Sequence, residues 1–136
     1  MVNSNRKGKV GEREVATILR DELGIAVHRN WAEQAARGGV DLIGVPFWAI
    51  EIKRAKKYLS DWWTQAASQA RILDDKPVLI YKLDRKQWKA QICYCALVPD
   101  SHLHFKLEMD LPDWCSIVRE DLCLGRNVPL ANSGNI

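Results

Sequence analysis

No apolar run in this sequence approaches the roughly 18 residues that a helix needs to cross a bilayer, so no membrane-spanning helix is expected. The opening stretch, MVNSNRKGKVGERE, lacks the apolar core of a secretory signal, and an intracellular, cytoplasmic protein is expected. Neither sign of charge dominates. Twenty Lys and Arg against 17 Asp and Glu leave a net charge of only +3, so total charge makes no case for nucleic acid. Repeats and linkers are also missing. With 136 residues, 47% of them hydrophobic and 27% charged, the chain reads as one soluble globular domain spanning 1–136, long enough to bury a core without staples. Cysteine is sparse, at positions 93, 95, 115 and 123, and reduced thiols are expected in a cytoplasmic setting. Cys93 and Cys95, with His102 and His104 nearby, match no common zinc module. Alternation on buried strands explains the pattern as well as a zinc site does.

What is present is patterned. Residues 8–23 place Val15, Ala16, Leu19 and Leu23 on one helical stripe, and Gly24 is a plausible terminator. Glu12 lies three and four residues before Val15 and Ala16, so an acid continues the inward face. Gly8 and Gly11 flank the same end and permit close backbone approach. Residues 25–29 read as a short strand and 30–39 as a polar loop. VDLIGV and FWAIEIKR read as strands joined around Pro46, apolar enough to lie in a sheet covered on both faces. A helix over 60–73, strands over 76–83 and 87–98, a strand at HLHFKL and a helix over 111–122 with Pro112 in its first turn follow. The expected fold is α/β: a central mixed β-sheet of four or five strands flanked by helices. Residues 125–136 read as a loose tail.

Charges inside the apolar hairpin carry the chemistry. Alternation puts Glu51 and Lys53 on one side of their strand, with Ile50 and Ile52 on the other. A hairpin centred on Pro46 sets Asp41 opposite Glu51, about 5 Å away across the strands. Two carboxylates that close repel, unless one is protonated or a cation lies between them. Mg²⁺, which prefers oxygen ligands, resolves the conflict. The carbonyl of Ile52 and the carboxylate of Glu12 are further candidate ligands. Lys53 would then orient a water or stabilise charge on a phosphate oxygen, a device for hydrolysing a phosphodiester. The competing reading is an Asp41–Lys53 ion pair in an unrelated α/β protein. Basic residues cluster as Arg6, Lys7, Lys9 and Arg13 and again as Lys53, Arg54, Lys56 and Lys57. Converging, they would form a phosphate-binding stripe; apart, they are solvated faces.

The order of these features resembles the PD-(D/E)xK nuclease superfamily, and within it the archaeal-type Holliday junction resolvases and related phage nucleases. KGKVGEREVATIL, GGVDLIGV, AIEIKRAKKYL and PVLIYKL carry the resemblance, which spans about residues 6–92. Val40 stands where the motif usually has Pro. The resemblance implies a restriction-endonuclease-like core over about 6–98, with 99–136 an unassigned extension. It implies Glu12, Asp41 and Glu51 as metal-site acids, Lys53 as catalytic lysine, and Gln65, with Gln69 as runner-up, near the site. Mg²⁺, with Mn²⁺ as a substitute, is the implied cofactor. DNA, branched and most characteristically a four-way junction, is the implied substrate, cut by a homodimer; exposed Trp and Leu on helix 60–73 or in the C-terminal third would supply the interface. Arg6, Lys7, Lys9, Arg13, Arg29, Arg37, Arg54, Lys56 and Lys57 are the expected DNA contacts, and Trp31 a further one. A restriction, nicking or repair nuclease of the same superfamily, or a DNA-binding module without catalysis, stays open.

Overall fold

The computed structural model describes residues 4–30 and 40–125. Its first helix, α1, runs Ser4–Leu23, four residues earlier than expected. Gly8 does not start it, because one Gly costs a helix only about 1 kcal/mol. Val15, Ala16 and Leu19 form the buried stripe. Gly11 is buried as well. A Cβ there would stand 3.4 Å from Trp88 and 3.8 Å from Ile52, so the missing side chain lets α1 lie close on the sheet. The helix closes at Gly24, whose φ is 67° and whose N–H donates to the Arg20 carbonyl at 2.9 Å.

Among the described residues six strands follow: β1 (His28–Arg29), β2 (Leu42–Ile43), β3 (Trp48–Ala55), β4 (Lys76–Leu83), β5 (Lys89–Cys93) and β6 (Lys106–Asp110). They form one sheet in that order. Only β3 and β4 run parallel, joined by the crossover helix α2, Asp61–Leu73; the other neighbours are antiparallel. The α/β mixed sheet is as expected. Its strand count exceeds four or five because short strands are added at both edges. Helix α3, Leu111–Leu124, starts with Pro112 in its first turn. Thus β6 and α3 complete the same sheet and core rather than forming an appendage. Among the described residues no helix is long and apolar enough to cross a membrane.

The sheet is covered on both faces, as the apolar strands require. Ile50, Ile52, Val78, Ile80, Ala90 and Ile92 pack under α1 and α3, where Trp114 meets Trp48 edge-on at 5.4 Å. On the opposite face Leu79 and Tyr81 pack under Trp62 and Ala66 of α2, and Ala49 meets Ala70 and Val40. Glu51 and Lys53 share the α2 face by alternation.

Several expected strands are shorter, for identifiable reasons. The stretch 25–29 pairs only at 28–29, because the Val27 carbonyl accepts from Arg20 Nη1 at 2.7 Å instead of from a strand. The strand expected over 87–98 stops at Cys93, whose sulfur accepts the Cys95 N–H at 3.3 Å; the chain curls into a 3₁₀ turn, Tyr94–Ala96. That turn brings Cys93 and Cys95 to a Cα separation of 5.2 Å, and the structure joins them as a disulfide. They are not the free thiols expected; Cys115 and Cys123 are. The strand expected at HLHFKL begins only at Lys106, which pairs with Cys93, the last residue of β5. Trp31, Arg37 and the tail beyond Gly125 lie outside the described residues, as do the side chains of Arg6 and Lys7.

The turn after β2 depends on one glycine. Gly44 has φ 118°, and a Cβ built there would stand 2.1 Å from the Ala26 carbonyl oxygen. Gly44→Ala is expected to destabilise the protein by about 2–4 kcal/mol, combining backbone strain with overpacking. Equilibrium urea unfolding checks this. Gly24→Ala, also at positive φ but with nothing within 4 Å, is the milder control.

Candidate active site

Strand β3 pairs with β4 along its whole length, but with β2 only at Leu42–Ile50. Beyond that pair its edge is open among the described strands. In an antiparallel ladder, alternate residues direct both N–H and C=O toward one neighbour. Ile50 does so toward β2, its carbonyl accepting the Asp41 N–H at 2.9 Å, and Ile52 faces the same way. The Asp41 carboxylate supplies the next rung: Oδ2 accepts the Ile52 N–H at 2.7 Å. Asp41 is therefore fixed on the edge of β3, one register step from Leu42–Ile50 and beside Glu51. Asn30, itself buried, grips the other side. Its N–H donates to the Asp41 carbonyl and its Nδ2 to the Val40 carbonyl, each at 3.1 Å.

A cleft of about 470 Å³ opens at this edge, lined by Glu12, Asp41, Glu51, Ile52 and Lys53, with Leu59 and Trp62 as an apolar wall. Asp41 is 7% and Glu51 8% exposed, unusually low for acids facing a cleft. Lys53 Nζ lies 3.6 Å from Glu51 Oε1. Glu12 enters from α1, across the sheet edge, and its Oε1 accepts Arg29 Nε at 3.0 Å. With that partner it does not join Asp41 and Glu51 in a cluster whose oxygens lie within 4.8 Å of one another. Direct contact of one ion with all three acids would require them to draw closer together.

Residues 3–108 match the family model described as "Phage putative PDDEXK endonuclease". The chain belongs to this family. It is similar to Protein D14 of Escherichia phage T5, with 29% identity over 110 residues, 64% of this chain and 69% of that protein. It is also similar to the solved structure of Archaeoglobus fulgidus Hjc, a Holliday junction resolvase from an archaeal hyperthermophile. That likeness has 22% identity and a TM-score of 0.48, over 77% of this chain and 84% of that one. In this member of the endonuclease family Val40 takes the place of the motif's Pro. It is buried against Ala49 and Ala70.

The remaining expected residues of this endonuclease divide. Lys9, Arg29 and Arg54 line the cleft, although Arg29 is held by Glu12 and Arg54 Nη1 lies 3.8 Å from Glu14 Oε2. Arg13 is exposed and lines a neighbouring recess with Arg20, His28 and Arg29. Lys56 and Lys57 are exposed just after β3. Gln65 does not line the cleft and is exposed, because Trp62, Ala66 and Ala70 define the inward stripe of α2. At 3.6 residues per turn Gln65 sits about 100° round from Ala66 and Gln69 about 60°. Gln69 is accordingly half-buried, and its Oε1 has no hydrogen-bond partner among the described residues. Trp62 is core rather than interface, and Trp63 is half-buried against it. Sequence reasoning missed the clamp formed by Asn30, and nothing local announces it: its partners are ten and eleven residues away.

Burial raises the pKa of Asp41 from 3.8 to about 8, and the charge of Glu51 adds to the rise, outweighing the Ile52 hydrogen bond. Burial raises Glu51 as well, opposed by Lys53. The metal-free folded state therefore holds protons that the unfolded chain has released. Its stability falls as pH rises from about 4 to about 8, the opposite of a salt-bridged acid. Asp41→Asn is expected to flatten that decline in metal-free protein, read as the melting temperature against pH. An unchanged slope would place the titrating group elsewhere.

Proposed function

We propose that this chain is a Mg²⁺-dependent DNA endonuclease acting on branched DNA, a four-way junction above all. The observation that carries the reading is the buried Asp41–Glu51 pair with Lys53 beside it at the open edge of β3, in a chain of the endonuclease family. The donors fit a hard divalent cation: two carboxylates and a backbone carbonyl, Ile52, turned to the same edge, with no sulfur or imidazole lining the cleft among the described residues. Asp41, Glu51 and Ile52 would hold the ion, with Glu12 bridged by water. When bound, the metal would supply Lewis acidity toward the phosphodiester and lower the pKa of a water. Lys53 would hold the attacking water or a phosphate oxygen as water adds to phosphorus and one bridging P–O bond breaks. Lys9 and Arg54 line the cleft, Lys56 and Lys57 are exposed just after β3, and all four would bind flanking phosphates.

The preference for junctions rests on the resemblance of the sequence motifs to resolvases and on basic residues entering from two elements, α1 and the end of β3. Cutting two opposed strands needs two sites, so we place the activity in a homodimer. With Trp62 in the core, an interface on α2 would fall to exposed apolar residues such as Ile72, 69% exposed.

Asp41→Asn and Glu51→Gln are each expected to abolish cleavage while the fold survives. Lys53→Ala should lower the rate far more than the affinity. Lys56→Ala and Lys57→Ala should instead weaken binding, each reducing the log–log salt slope by about 0.9. The assay compares a four-way junction, a flap, a duplex and a single strand with Mg²⁺ or Mn²⁺. Cleavage by Asp41→Asn at the wild-type rate would overturn the site. Equal cleavage of junction and duplex would overturn the substrate.

A further inference from the structure

A second cluster of ligand-type side chains lies on the other side of the sheet's centre, between β5 and β6. Among the described residues, Cys93, Cys95 and His104 bring one sulfur or ring nitrogen each within 4.8 Å of one another. The backbone fixes this approach. Cys93 ends β5 opposite Lys106, and the ladder continues one rung further, the Tyr94 N–H donating to the Phe105 carbonyl at 2.9 Å. The rings of Tyr94 and Phe105 stack at 4.9 Å. Cys95 and His104, flanking that stacked pair, are thereby held beside Cys93. The disulfide accounts for two of the three groups and leaves the imidazole unexplained. A dithiol with an imidazole is a soft donor set of three, unlike the all-oxygen cleft.

We propose that Cys93, Cys95 and His104, with the two cysteines reduced, form a zinc site that clips the β5–β6 connection. Both thiols bind as thiolates, releasing two protons to solvent, and His104 binds as the neutral imidazole. The Cys95 amide, donating to Cys93 sulfur at 3.3 Å, stabilises one thiolate in the way outer-shell donors do. Water takes the fourth position, and access is open: Cys95 is half-exposed and His104 exposed. His102 stands outside the group. The clip would compensate for weak burial of the connection, where Leu97, Val98, Leu103 and Phe105 are all exposed.

The test uses the full chain reduced with a phosphine, and Co²⁺ as the spectroscopic probe. Expected are a near-ultraviolet thiolate-to-cobalt band, its loss when Zn²⁺ is added, and a higher melting temperature with Zn²⁺. Cys95→Ser should abolish the band. His104→Ala should weaken Co²⁺ binding by more than about tenfold, the least that losing even an outer-shell partner typically costs. Both residues are accessible enough for substitution to spare the fold, and His102→Ala should change nothing. Asp41→Asn should retain the band, so this site and the nuclease site can fail separately. Absence of the band in reduced protein, or a band unchanged in Cys95→Ser or His104→Ala, would overturn the proposal.

Discussion

The Asp41 carboxylate accepts a hydrogen bond that a third β2 rung would otherwise provide, and the site depends on that substitution. Because Oδ2 takes the Ile52 amide at 2.7 Å, β2 can end after two residues without leaving a buried N–H unpaired. The early ending opens the edge of β3, and the open edge is the floor of the cleft. One interaction thus terminates a strand, aims a carboxylate and frees the Ile52 carbonyl. The surroundings hold it in place: Asn30 grips the backbone of Val40 and Asp41, and Gly44 lets the chain turn immediately after β2.

The same arrangement costs stability. Asp41 and Glu51 are nearly as buried as the core, yet face each other as well as an opening, and Lys53 lies beside Glu51 to offset its charge. A sheet built for stability alone would carry apolar residues here, as the neighbouring strand does with Leu79 opposite Glu51. The penalty is tolerable because the rest of β3 is tied to β4 over eight consecutive pairs and capped by helices on both faces. Rigid strands on one side and a truncated strand on the other let a poorly compensated acid pair persist.

Much of this was legible in the sequence. The α1 stripe, the span of β4, the Pro-initiated α3 and the facing of Asp41 and Glu51 follow from periodicity and turn placement, which local chemistry controls. The ends of β1, β2 and β5 were not legible, because side chains or turns take over their hydrogen bonds: Arg20 for Val27, Asp41 for Ile52, the Cys93 sulfur for Cys95. Gln65 was favoured over Gln69 by motif position, and a difference of about 40° round α2 reversed their exposure. Glu12 was read as inward and does line the cleft, but its pairing with Arg29 joins elements seventeen residues apart, beyond any local pattern.

The central claim is that Asp41 and Glu51 share a proton-rich, repulsive site that a divalent cation relieves. Calorimetric titration of Mg²⁺ into the metal-free protein near neutral pH, repeated in buffers of different ionisation enthalpy, tests it directly. Mg²⁺ avoids the thiol cluster. The account predicts that binding releases protons, because Asp41 stays largely protonated below about pH 8 until the ion arrives, and that Asp41→Asn loses both the binding and the release. Binding with an enthalpy independent of buffer, or undiminished in Asp41→Asn, would contradict it.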